Sequence, residues 1–194
     1  MKNSEEENIH SYKKFENIVW EEKIITGKNF DNCTFYKCSL KGCFFDDCVF
    51  EKCTFEECDL SLIKFKDSSL SSVQINGSKA IGIIWHTAGN PLSVNFNNSR
   101  ISYCSFFGKN LKKTQFINCI ADDVDFTNCN LTQADFAGTD LKNAIFLNTD
   151  ITMANFVRAI NYSIDLNNNK TKKAKFSLPE ALCFLYNLDI ILVD

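Results

Sequence analysis

Read in steps of five from Phe30, the chain returns Phe30, Phe35, Leu40, Phe45, Phe50, Phe55, Leu60, Phe65, Leu70 and Ile75. A second series runs from Phe96 through Ile101, Phe106, Leu111, Phe116, Ala121, Phe126, Leu131, Phe136, Leu141, Phe146 and Ile151 to Phe156, and only Ala121 in it is small. The first phase extends back to Phe15, Trp20 and Ile25 and forward to Ala80 and Trp85. Two residues before the centre stand Cys33, Cys38, Cys43, Cys48, Cys53 and Cys58 in succession, and in the second series Cys104, Cys119 and Cys129 among mostly small Val, Ser, Thr and Ala, with Lys109 the exception. Fourteen of the 18 Phe occupy the centre and nine of the 10 Cys the earlier slot. A period of five fits neither a helix nor a long strand. It fits a coil of short sides, each turning at its end and each sending one large and one small side chain inward. Coils of this kind stack at strand spacing, roughly 4.8 Å, with parallel pairing.

The same grid decides what the cysteines do. Four inward thiols such as Cys33, Cys38, Cys43 and Cys48 evoke an all-cysteine zinc site. Their spacing, however, is the spacing of the repeat, and each shares the interior with a Phe or Leu two residues on. Cysteine suits the slot as a small buried residue, so neither metal nor disulfide is expected. With two His, 21 Lys plus Arg and 24 Asp plus Glu, the chain has no His-based metal motif, Gly-rich phosphate loop or Gly-x-Ser-x-Gly elbow. No catalytic residue, cofactor or metal is expected, and the net charge of −3 argues against direct nucleic-acid binding through bulk charge. The start, Met-Lys-Asn-Ser-Glu-Glu-Glu, does not read as a signal peptide. No apolar run reaches the roughly 18 residues of a membrane span, and the expected compartment is the reducing cytoplasm.

Ala134-Asp135-Phe136, Ala154-Asn155-Phe156 and Cys58-Asp59-Leu60 carry the pattern of small residue, Asp or Asn, then Phe or Leu, followed by two polar positions. The chain therefore resembles the pentapeptide-repeat proteins over about residues 12–160. That resemblance implies an all-β solenoid, a right-handed quadrilateral β-helix with four pentapeptides per coil. Residues twenty apart then stack: Phe96, Phe116, Phe136 and Phe156 in one ladder, and Phe106, Phe126 and Phe146 in the opposite one. Seven coils follow from the centres counted, roughly 34 Å of rod. Residues 1–11 read as a polar N-terminal tail. From Trp85 to Phe96 the phase slips by one residue, and His86-Thr87-Ala88-Gly89-Asn90-Pro91 reads as a bulge or projecting loop over 86–95.

Beyond Phe156 the pattern fades into a C-terminal segment, 161–194. Ser177-Leu178-Pro179-Glu180 has the form of a capping box, predicting an α-helix to about Leu188 and then a short strand or tail. This end resembles the quinolone-resistance (Qnr-type) and microcin-immunity branch, in which such a segment caps the last coil and forms a homodimer. Leu182, Phe184, Leu185, Leu188 and Ile190 are the candidate dimer interface.

The resemblance also implies a functional idea, mimicry of DNA toward a type II topoisomerase, DNA gyrase or topoisomerase IV. Residues 30–156 hold fourteen acids and eleven bases, but Asp122, Asp123, Asp125, Asp135, Asp140 and Asp150 face only Lys142 between Ala121 and Ile151. Trp85, His86 and Asn90 at the slip and Asp122, Asp123, Asp125, Asp135 and Asp140 are therefore candidate partner-binding residues. So are Phe107, Ile117, Leu147 and Val157, which follow centres and line apolar columns, unless the C-terminal segment covers them. The competing reading is a general protein-interaction or structural rod with no topoisomerase role.

Overall fold

The computed structural model describes residues 8–188 of the 194, and side chains up to residue 185. Three-residue strands recur every twenty residues and pair in parallel. Ile9–Ser11 lies on Asn29–Asp31, which lies on Val49–Glu51 and in turn on Ser69–Asn76. Lys14–Glu16, Thr34–Tyr36 and Thr54–Glu56 repeat this on the next side, and Ile24–Thr26, Phe44–Asp46 and Lys64–Lys66 on another. The remaining side, and most of the C-terminal half, is joined by single parallel bridges of the same register, such as Ser39 with Asp59 and Asn110 with Asn130. Each turn thus has four sides of five residues. In the three-residue strands the middle residue is buried and its neighbours face outward, as in Lys14-Phe15-Glu16, except that Ile25 in the first coil is half-buried. The side chains of a strand alternate between faces, and most strands end after three residues at the next corner, whereas Ser69–Asn76 runs through its corner to pair with both Val49–Glu51 and Thr54–Glu56.

Four inward stacks result, each side taking its name from one of its members. On the Phe15 side, Phe15 stacks on Phe35 at 4.7 Å between ring centroids and Phe35 on Phe55 at 4.7 Å. Beyond Ile75 the stack continues as Phe96 on Phe116 at 5.4 Å, Phe116 on Phe136 at 4.9 Å and Phe136 on Phe156 at 4.9 Å. Opposite it, the Trp85 side stacks Phe45, Phe65, Trp85, Phe106, Phe126 and Phe146. Rings from the two sides meet edge-on across the interior, as Phe116 meets Phe126 at 76°. Leu111, Leu131 and Ile151 fill the third, Leu131 side and Leu40, Leu60, Ile101 and Leu141 the fourth, Leu141 side, all buried.

The ladders run past both limits that the periodicity suggests. His10 occupies a centre, stacked on Phe30 at 5.0 Å, so the residues just before 12 belong to the first coil. At the other end Asn155–Phe156 pairs with Lys175–Phe176, and Phe176 stacks on Phe156 at 5.0 Å. From Phe15 to Phe176 the register makes eight turns rather than seven, roughly 38 Å at strand spacing.

The phase slip is a local exchange. Leu70 pairs with Leu92, twenty-two residues on, but Val73 pairs with Val94, twenty-one on. Two residues are inserted before Leu92 and one is deleted after it. The inserted corner does not project freely: the Gly89 N–H donates to Ser68 O at 2.7 Å, Ala88 is buried, and Lys109 Nζ donates to Ala88 O at 2.8 Å.

The C-terminal segment differs from its expected α-helix. Residues Glu180–Leu188 form 3-10 turns. The Ser177 hydroxyl does not cap them; its oxygen accepts the Arg158 N–H at 2.9 Å. In the coils before it, the equivalent N–H groups bond a backbone carbonyl of the next coil, as Asn118 N–H bonds Ala137 O and Gly138 N–H bonds Val157 O. Ser177 supplies that acceptor from its side chain, and its own carbonyl takes the Ala181 N–H at 3.1 Å.

Candidate functional site

The slot residues do more than leave space. The thiols of Cys53, Cys58 and Cys129 donate to Phe30 O, Phe35 O and Phe106 O of the preceding coil at 3.2, 3.3 and 3.0 Å. Ser68, Ser78, Ser99 and Thr149 make the equivalent bond with hydroxyls, to Phe45 O, Phe55 O, Ile75 O and Phe126 O. The slot thus supplies a donor to an inward carbonyl of the preceding coil; Phe106 O and Phe126 O also accept the N–H of Lys109 and Cys129 within their own corners. Burial pushes the thiols of Cys53, Cys104 and Cys129 up to about 12 and those of Cys58 and Cys119 to about 11. At neutral pH they are protonated donors, and a protonated thiol is a poor nucleophile and metal ligand. All ten cysteines are free, and no cluster of His, Cys, Asp and Glu suited to a metal occurs among the described residues. No helix among them is long and apolar enough to cross a membrane.

The candidate acids divide by position. Asp125, Asp135 and Asp140 stand one residue before a centre and accept the N–H two residues on, from Thr127, Ala137 and Lys142 at 2.9, 3.0 and 3.1 Å. Asp59 and Asp150 do the same for Ser61 and Thr152. Side chains of this type shape their own turn. Burial raises the Asp150 carboxyl, but the bonds from Thr152 and the Lys170 ammonium, 3.9 Å away, outweigh it and hold the group below the usual range. Asp122 accepts the Ser102 hydroxyl and sits 3.9 Å from Arg100; Asp123 is an exposed corner residue. The acids are dispersed: Asp125 on the Trp85 side, Asp135 on the Phe15 side, Asp122 and Asp140 on the Leu141 side, Asp150 on the Leu131 side. The sequence run between Ala121 and Ile151 winds around the rod rather than forming one stripe.

The apolar candidates separate as well. Trp85 is buried between Phe65 and Phe106, with ring centroids at 5.6 and 5.7 Å, which corrects its reading as a partner-binding residue. Its grid position is a centre, and centres point inward. His86 and Asn90 are exposed, His86 edge-on to Phe107 at 6.3 Å. Phe107 (47 % exposed) and Leu147 (43 %) lie on the Trp85 side. Ile117 and Val157 are half-buried on the opposite, Phe15 side. In the C-terminal segment Phe184 packs on Phe176 and Tyr162 at 4.7 and 5.8 Å, closing the end of the rod. Of the candidate dimer residues, Leu182 is exposed and Leu185 half-buried. The Leu188 side chain and Ile190 lie outside the described residues.

Further exposed apolar side chains lie along the same side as Phe107 and Leu147. Ile24, Ile84 and Ile145 precede centres of the same side, with Leu62 and Tyr103 along its edge. Between them runs a groove of about 760 Å³ lined by Phe44, Leu62, Lys64, Gly82 and Ile84. Gly82 lines it with φ +67°, a conformation that favours glycine, and a Cβ there would stand 2.9 Å from Leu62 Cδ2. The residues missed by sequence reasoning carry a signal in the twenty-residue column Ile24, Phe44, Ile84, Ile145, interrupted at Lys64, Ser105 and Asp125.

Comparison with known proteins supports the fold over nearly the whole chain. Residues 92–156 match the family model of the pentapeptide repeat region, and residues 30–74 match a model of nine pentapeptide repeats. No curated protein matches the chain. Among solved structures, it is similar to two trypsin-treated, singly substituted forms of QnrB1, a plasmid-mediated fluoroquinolone resistance protein. One superposes with a TM-score of 0.73 at 19 % identity, covering 95 % of this chain and 97 % of that one. The other superposes with a TM-score of 0.68 at 18 % identity, covering 93 % and 100 %.

Proposed function

The chain belongs to the pentapeptide-repeat family, and from that premise we propose that it is a non-catalytic module that binds another protein along its Trp85 side. The observation that supports this is the gathering of Ile84, Phe107, Ile145 and Leu147 on one side of a rigid aromatic stack. Exposed apolar patches on soluble proteins mark interaction sites, and an anchor held by a packed core loses little freedom on binding. The test is capture of partners from an extract of the source cell, comparing the intact chain with a Phe107→Asp/Leu147→Asp variant. A partner retained by the intact chain and lost by the variant supports the reading; identical recoveries contradict it.

A type II topoisomerase is the partner class to test first, because the fold similarity to a fluoroquinolone resistance protein extends over both chains. DNA mimicry is the less favoured route to such a partner, since the acids are spread over four sides and several are engaged in corners. Gyrase supercoiling assays with and without a fluoroquinolone decide this narrower reading. No effect of the chain at micromolar concentration removes it and leaves the broader one standing. A homodimer formed through the C-terminal segment, a cytoplasmic location and a division into coil and cap at about residue 160 complete the proposal.

A further inference from the structure

The net charge of −3 conceals a separation of charge across the rod. On the Leu131 side the last four coils align in register: the Lys113 N–H bonds Thr132 O, the Gln133 N–H bonds Thr152 O, and the Met153 N–H bonds Lys172 O. Lys112 and Lys113 therefore share one side with Lys170, Lys172 and Lys173, and all five are exposed. Asp150 is the one acid among them, and it faces Lys170 at 3.9 Å. Among the described residues no carboxylate pairs with Lys112, Lys113, Lys172 or Lys173. The opposite, Leu141 side carries Asp122, Asp123 and Asp140 at the same height, with Arg100, 3.9 Å from Asp122, and Lys142 among them.

We propose that this basic side binds the phosphate backbone of nucleic acid, independently of sequence. Between the lysine pairs stand Asn130, Thr132, Gln133 and Thr152, neutral groups of the kind that contact phosphate and sugar oxygens. Protein-binding surfaces show the reverse composition, poor in Lys and rich in aromatic residues. Here the one exposed large apolar side chain is Met153. Lys113 and Lys173 are three coils apart, roughly 14 Å, which covers about four phosphates of one strand at roughly 3.4 Å of axis each. The lack of exposed aromatic rings on this side favours backbone contact over base stacking.

The test is fluorescence anisotropy of a labelled 25-base-pair DNA duplex of arbitrary sequence with the intact chain. Four to five lysine–phosphate contacts predict a log–log salt slope of about −4 and a loss of affinity on the order of 100-fold between 50 and 200 mM salt. A Lys112→Gln/Lys113→Gln/Lys172→Gln/Lys173→Gln variant with an unchanged thermal melt should lose that binding, and the corresponding Arg variant should keep it. Lys64→Gln/Lys66→Gln on the Trp85 side should leave it unchanged. Absence of binding at 50 mM salt, binding undiminished in the Gln variant, or tighter binding to poly-glutamate than to the duplex each overturns the proposal, the last by assigning the side to an acidic protein segment.

Discussion

The amide of Cys58 donates to Ser78 Oγ at 2.9 Å, one coil away, and the Ser78 hydroxyl lies within bonding distance of Asn76 O at 2.8 Å and Phe55 O at 3.4 Å. The pair belongs to a column of slot residues. The Cys38 N–H is accepted by Cys58 Sγ at 3.4 Å, the Ser78 N–H by Ser99 Oγ at 3.1 Å and the Cys119 N–H by Thr139 Oγ1 at 3.0 Å. Cys58, Ser78, Ser99 and Thr139 each accept from one coil and donate within the stack, which suits this column to Cys, Ser or Thr.

Ser78→Ala removes an acceptor and a donor from a site that water does not reach. A buried polar group left without a partner costs about 1–3 kcal/mol. Urea unfolding should show a loss of that size, while an exposed change such as Ser72→Ala should stay within about 0.5 kcal/mol. Equal effects would refute the hydrogen-bonded role of the slot.

The buried thiols give stability a dependence on alkaline pH. In the unfolded chain a thiol titrates near 9, whereas Cys53, Cys104 and Cys129 in the fold titrate at about 12 and Cys58 and Cys119 at about 11. Above pH 9 the unfolded state therefore binds fewer protons, and stability falls as pH rises. Their contribution is fully present below pH 9 and lost through the range 11–12. Denaturant midpoints measured from pH 7 to 11 should drop steadily beyond 9; a flat profile would contradict this.

Thiol labelling separates the one cysteine that lies off the repeat from the nine on it. Cys183 is partly exposed on the terminal turns, while the other nine are buried. Treating the native chain with iodoacetamide at pH 8, followed by intact-mass measurement, should add at most one label, at Cys183. Denaturant should raise the number to ten. Rapid labelling of several thiols in the native chain would mean that the coils open readily.

The aromatic stack should dominate stability. Phe116 contacts Phe96 and Phe136 face-on and Phe106 and Phe126 edge-on. Phe116→Ala is expected to cost about 3–5 kcal/mol, and Trp85→Ala a similar amount. Calorimetry or urea unfolding measures both.

The five-residue period made the stacks legible because it reports the large and small inward residues directly. The ends were less legible. His10 is a centre by packing but not by type, and the grid positions between Phe156 and Phe176 hold Asn161, Leu166 and Thr171, too broken a series to announce Phe176. Cysteine in the slot read as a filler, since size alone does not distinguish packing from the bond to Phe30 O or Phe106 O. Asp135 and Asp123 look alike as acids, yet only the one standing before a centre closes a corner. The gathering of Ile84, Phe107 and Leu147 depends on a column register that the slip at 86–91 shifts by one.

The central claim, that the Trp85 side faces a protein partner, is tested most directly by site-specific photo-crosslinking in the source cell. A benzophenone side chain would replace Phe107 in one variant and Gln115, exposed on the opposite Phe15 side, in another. A partner on the Trp85 side gives a discrete adduct of defined mass from position 107 and none from position 115. Adducts from 115 alone, or the same adducts from both, would contradict it.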